Sequence, residues 1–67
     1  MDLRIIGKNI RKKRLALGYT QEKLAEIADC SWRYIPAIEQ GASIPSLKWL
    51  NRLSEKLKIP LEEFFKK

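Results

Sequence analysis

Gly18, Gly41, Pro45 and Pro60 cut this chain into short segments, since glycine and proline both interrupt regular backbone structure. Within the segments, apolar residues recur at the three- and four-residue spacing of a helix, and strand-type alternation is weak throughout. Short helical periods separated by frequent breaks describe a compact bundle of short helices. The first segment predicts a helix over residues 3–17, with Leu3, Ile6, Ile10 and Leu17 on one stripe and Arg14 falling on the same stripe. Gly18 ends it, because glycine tolerates the left-handed conformation of a helix stop. Thr20 is the expected N-cap of a second helix, 21–28, whose Leu24, Ile27 and Ala28 face inward. Asp29, Cys30 and Ser31 form a turn, and Ser31 caps a third helix, 32–40, that buries Ile35 and Ile38. After Gly41 comes a loop in which Pro45 holds Ile44 extended. Ser46 caps a fourth helix, 47–57, with Leu47, Leu50, Leu53 (or Ser54) and Leu57 inward. A last short helix, 61–65, carries Leu61, Phe64 and Phe65. The expected class is all-α: five helices forming one domain over residues 1–67.

Size and charge narrow the function. With 67 residues the chain sits near the lower limit for a stable single core, and it cannot enclose a large dry pocket. No small-molecule ligand and no cofactor are expected. The chain has no histidine and one cysteine, so neither a metal site nor an internal disulfide is expected. Cys30 reads as a small buried hydrophobe at the turn, in a protein of the reducing cytoplasm. No apolar run approaches 18 residues, which argues against a membrane span. The net charge of +6 favours an anionic partner, nucleic acid or an acidic membrane surface, over mere solubility. The cations gather at the start, in Arg4, Lys8, Arg11, Lys12, Lys13 and Arg14. An enzyme finds no support, because no nucleophile stands with a base and no glycine-rich phosphate loop is present. Glu62 and Glu63 are adjacent and suit the first turn of the last helix.

Residues 21–40 are the most informative stretch: two helices joined by a three-residue turn. Ala25 is small where two steeply crossing helices approach closely, and Asp29 stands where the turn requires positive φ, which aspartate tolerates better than most residues. Around this unit lie Ile6-Gly7, Ile10-Arg11, Arg14, Gly18, Thr20-Gln21-Glu22, Leu24-Ala25, Ser31, Tyr34-Ile35, Ile38-Glu39, Gly41, Pro45-Ser46-Leu47, Leu50, Leu57 and Leu61 through Phe65. In this combination the chain resembles the Xre/Cro-type helix-turn-helix family of phage repressors and bacterial transcriptional regulators, over roughly residues 5–65.

The resemblance implies a five-helix repressor-like domain whose third helix enters the major groove of double-stranded DNA. Its outward face here is Trp32, Arg33, Pro36, Ala37 and Gln40. Arg33 is a candidate for the bidentate contact to guanine, against a phosphate contact or a solvated arginine. Trp32 either packs on a thymine methyl or a sugar, or covers the turn. Ala37 either touches a thymine methyl or is simply exposed. Gln21, at the start of the second helix, is a phosphate candidate, as are Gln40, Ser43 and Lys48 on the opposite flank and the Tyr34 hydroxyl. Arg14 and Glu39 are each costly to bury alone; the resemblance pairs them as a salt bridge, with a spare Arg14 N–H for a phosphate. It also implies a homodimer reading a pseudo-palindrome, through Ile59, Pro60, Leu61, Phe64 and Phe65.

Pro36 departs from the family pattern, which has a small polar residue there. Inside a helix capped at Ser31 it removes a hydrogen bond at a cost of about 3 kcal/mol, so a distorted start is expected. Asn51 and Lys56 stand where apolar residues are frequent, which predicts a thinner core on the fourth helix. Trp49 either packs against the DNA backbone or a partner, or covers the 41–46 loop. The leading reading is a small sequence-specific regulator. The alternative is a protein-interaction module of the same fold, binding a toxin or another regulator.

Overall fold

The computed structural model describes residues 2–67 and shows helices α1 (Arg4–Ala16), α2 (Gln21–Ala28), α3 (Tyr34–Glu39) and α4 (Leu47–Leu57), followed by a 3₁₀ helix at Leu61–Phe65. No strand occurs among the described residues, and none of their helices is long and apolar enough to cross a membrane.

Local chemistry sets most boundaries. Thr20 Oγ1 accepts the Lys23 N–H at 3.0 Å and Ser46 Oγ accepts the Trp49 N–H at 3.1 Å, so both side chains satisfy a first-turn donor that has no helical partner. α2 stops at Asp29, whose φ of 55° lets the Cys30 N–H reach back to the Ala25 carbonyl at 3.0 Å. Lys58 ends α4 in the same left-handed conformation, and Ser54 Oγ donates to the Ile59 carbonyl across that turn.

The core consists of Ile6 and Ile10 of α1, Leu24, Ala25 and Ala28 of α2, Ile35 and Ile38 of α3, Leu50 and Leu53 of α4, and Phe64. Several residues of the sequence-derived stripes lie outside it: Ile27 is only half-buried, and Leu3 is 45% exposed, Leu17 44% and Leu47 63%. Leu3 and Leu17 flank α1 and Leu47 opens α4, so each continues a helical period past the end of the surface it packs on. Asn51 and Lys56 are exposed, and α4 packs through Leu50 and Leu53 with Trp49 and Leu57 beside them.

Two contacts fix α1 at the centre. At Gly7, an added Cβ would lie 1.9 Å from the Ile38 carbonyl oxygen, so the α1 backbone touches the end of α3 at a distance only glycine permits. Asn9, buried on the neighbouring side of α1, donates through Nδ2 to the carbonyls of Phe64 at 2.9 Å and Lys66 at 2.6 Å. These bonds and the Lys13–Glu63 pair at 3.0 Å fasten the C-terminal 3₁₀ helix to α1. Hydrogen bonds from Lys66, then Lys13, hold the Glu63 carboxyl below its ordinary range.

Gly7→Ala is therefore expected to destabilise the fold by about 3 kcal/mol, a fall of roughly 15 °C in Tm for a chain of this size. Gly18→Ala, where φ is +75° but no atom lies within 4 Å of the added Cβ, is expected to lose only about 1 kcal/mol. Thermal denaturation followed by circular dichroism compares the two; equal losses would show that α1 and α3 do not depend on close approach.

Candidate nucleic-acid interface

Pro36 decides where α3 begins. The spacing places the cap at Ser31 and the helix at 32–40; the structure instead caps α3 at Arg33 and starts it at Tyr34. Pro36 thus becomes the third helical residue, where an N–H would have no intrahelical acceptor in any case. The penalty of an interior proline is avoided by shortening the helix. Ser31 still organises the turn: its Oγ accepts the Arg33 N–H at 3.3 Å and its carbonyl accepts the Tyr34 N–H at 3.0 Å. Trp32 and Arg33 consequently lie in the turn before α3 rather than on it. Trp32 is 54% exposed, and the Arg33 guanidinium carbon lies over its ring, 5.6 Å from the centroid. Pro36 and Ala37 are half-buried on the first turns of the helix.

Tyr34 turns toward the body of the protein. Its ring meets Trp49 edge-on, with centroids 5.3 Å apart and planes at 87°. Burial, then the neighbouring Cys30, raises the Tyr34 hydroxyl above its ordinary pKa. Cys30 is half-buried, and its thiol is raised too, by burial first and by Asp29 second.

The strongest polar cluster lies where α1, α2 and α3 meet. Arg14 Nε donates to Glu39 Oε2 at 2.7 Å and its Nη2 to Oε1 at 3.1 Å, a two-pronged pair with side chains 9% and 3% exposed. Arg14 Nη1 donates to the Tyr19 carbonyl at 2.9 Å. The Glu39 hydrogen bond holds the guanidinium above its usual pKa, with burial opposing it. Gln21 Nε2 donates to Glu39 Oε1 at 3.2 Å, so the same carboxylate orients the first residue of α2. With all three of its nitrogens engaged and 8% of its surface exposed, Arg14 supports this corner from beneath.

Gln40 and Lys48 are exposed and Ser43 is half-buried, all of them just past Glu39 at the C-terminal end of α3. The Ala42 and Ser43 N–H groups both donate to the Ala37 carbonyl, at 2.9 and 3.1 Å, which folds this loop back against the helix. Among the dimer candidates, Pro60 is exposed and Ile59, Leu61 and Phe65 are half-buried, but Phe64 is 0% exposed and is corrected to a core residue. An open cleft of about 630 Å³ between α1 and the end of α3 is lined by Asp2, Arg4, Ile5, Lys8, Lys12 and Lys67 among others.

The helix-turn-helix family model matches residues 10–64, most of the chain. The chain belongs to the Xre/Cro-type helix-turn-helix family. This is a family of DNA-binding transcriptional regulators rather than a class of enzymes. Among relatives, the uncharacterized HTH-type transcriptional regulator YqaF of Bacillus subtilis is 36% identical over 61 residues, covering 91% of this chain and 80% of that protein. An uncharacterized HTH-type transcriptional regulator of Sinorhizobium medicae is 33% identical over 60 residues; it matches 90% of this chain, which spans 43% of that relative's length. The crystal structure of the restriction-modification controller protein C.AhdI from Aeromonas hydrophila superposes with a TM-score of 0.87 at 33% identity, covering 96% of this chain and 97% of that one.

Within this Xre/Cro-type fold, sequence reasoning missed the Gln21–Glu39 hydrogen bond and the role of Asn9. Neither partner pair is marked by helical spacing; only the placement of a polar Asn9 beside the inward Ile10 hinted at a buried amide.

Removing one member of the buried pair should leave its partner uncompensated. Glu39→Ala is expected to lose about 3–5 kcal/mol in urea denaturation, and the double variant Arg14→Met/Glu39→Leu clearly less. An equal or larger loss in the double variant would show that the pair itself supplies stability.

Proposed function

We propose that this chain is a sequence-specific regulator that binds double-stranded DNA, with the turn at Trp32–Arg33 and the first turns of α3 in the major groove. The observation that carries the reading is the exposure of Trp32 and Arg33 just ahead of α3, with exposed Gln40 and Lys48 following that helix and Gln21 held to Glu39 at its C-terminal end. A major groove about 12 Å wide admits one helix and its side chains. In this reading Arg33 takes guanine O6 and N7, Pro36 and Ala37 meet base edges, and Gln21 and the backbone N–H groups beginning α2 hold a phosphate. Gln40, Ser43, Lys48 and the Tyr34 hydroxyl grip the backbone on the other flank, and Arg14 keeps Gln21 in position through Glu39. Two copies joined through Ile59, Pro60, Leu61 and Phe65 read two half-sites one helical turn apart, in the cytoplasm. The fold shared with a restriction-modification controller protein supports a regulatory role.

A second reading, a module that binds another protein, draws on the neighbouring exposed side chains of Ile44, at 45%, and Leu47, at 63%.

Selection from random duplex DNA, followed by binding at several salt concentrations, separates the two. Groove reading requires an enriched sequence and affinity that falls steeply with salt, by a log–log slope of about −0.9 for each phosphate held. Gln21→Ala is expected to weaken binding to every duplex alike, and Arg33→Ala to relax the preference at one base pair. Absence of DNA binding at low salt would overturn the proposal and leave the protein-binding reading.

A further inference from the structure

We propose that Trp32 is a positioning residue for Arg33, and that the two together read a two-base-pair step: guanine through Arg33 and an adjacent thymine through the Trp32 ring. The inference rests on the DNA-reading function above and names what this site recognises. On a regular helix, consecutive residues project about 100° apart and do not face each other. The cation–π contact of Arg33 with Trp32 exists because Pro36 moves the start of α3 to Tyr34 and leaves both residues in a turn pinned by Ser31. The residue that breaks the expected helix thereby creates the pair.

The consequence for recognition is geometric. A guanidinium that grips guanine O6 and N7 lies in the plane of that base pair. A ring lying against its face, with the centroid 5.6 Å from the guanidinium carbon, is displaced toward the next base pair, which stands about 3.4 Å along the duplex. The apolar feature that base pairs present at that level in the major groove is the thymine C5-methyl group. The indole offers an apolar surface to it, and at 54% exposure Trp32 has surface to spare. The contact also restricts the Arg33 rotamers before DNA arrives, and ordering one long side chain in advance is worth about fivefold in affinity.

The test uses the full chain and a duplex obtained by selection. Binding is measured for the wild type, Trp32→Ala, Arg33→Ala, the double variant and Trp32→Phe. Each is measured on the selected duplex, on one with 7-deazaguanine for the contacted guanine, on one with deoxyuridine for the adjacent thymine, and on a random duplex. The selected sequence is expected to contain a guanine beside a thymine. Arg33→Ala is expected to lose about tenfold and with it the sensitivity to 7-deazaguanine. The wild type is expected to lose about fourfold on deoxyuridine, one methyl group, and Trp32→Ala to lose nothing further there. The single losses of Trp32→Ala and Arg33→Ala should exceed the double-variant loss by a coupling of about threefold, restored in Trp32→Phe, with random-duplex binding unchanged in Trp32→Ala. Additive losses, indifference to the thymine methyl, or a Trp32→Ala loss equal on random DNA would overturn the inference while leaving groove reading by Arg33 intact. Failure to select any sequence would overturn both.

Discussion

The buried ion pair between Arg14 and Glu39 is the constraint on which the interface depends. Taking two charges out of water is costly, and the arrangement holds only because nearly every donor and acceptor finds a partner: Glu39 receives Arg14 twice and Gln21 once, and Arg14 also reaches the Tyr19 carbonyl. One carboxylate at the end of α3 therefore ties down α1, the turn after α1 and the first residue of α2. The close approach at Gly7 brings α1 near enough for this to happen. Gln21 and the end of α3 share a single anchor, so the start of α2 and α3 keep a fixed separation. Such a pair contributes geometry more than stability.

Another side of α1 does comparable work with weaker forces. Asn9, Lys13 and the Glu63 ion pairs hold the C-terminal 3₁₀ helix against it, and Phe64 seals the core from that side. Phe64 is thus part of the domain's interior, while Pro60 is exposed and Ile59, Leu61 and Phe65 stay half-buried at the surface. Pairing within the chain neutralises Arg4, Lys13, Arg14, Lys23 and Lys66, while the net charge of +6 leaves ample cationic surface for a polyanion.

Most of the fold was legible because it is written locally. Thr20 and Ser46 act as caps, α2 and α4 occupy the expected ranges, and Asp29 takes positive φ, each decided by a few neighbouring residues. The third helix was misread because two local signals compete: Ser31 invites a helix at residue 32, and Pro36 is tolerated only if the helix begins later. Leu3, Leu17 and Leu47 continued apolar periods beyond the core, since periodicity gives a direction and not a depth. Phe64 could not be told from Phe65 as the buried partner because their apolar chemistry is identical. The bonds from Gln21 to Glu39 and from Asn9 to Phe64 cross 18 and 55 residues and leave no mark in local spacing.

The central claim, that the segment around Trp32 and Arg33 meets DNA while the rest of the fold positions it, is tested most directly by following backbone amide resonances as duplex DNA is added. Groove reading requires the largest shifts at Gln21, at Trp32 to Ile35 and Ala37, and at Ser43 and Lys48, with Ile59 and Leu61 to Phe65 responding only through association of two copies. Undisturbed resonances from Trp32 to Ile35 and at Ala37, beside clear changes elsewhere, would contradict it.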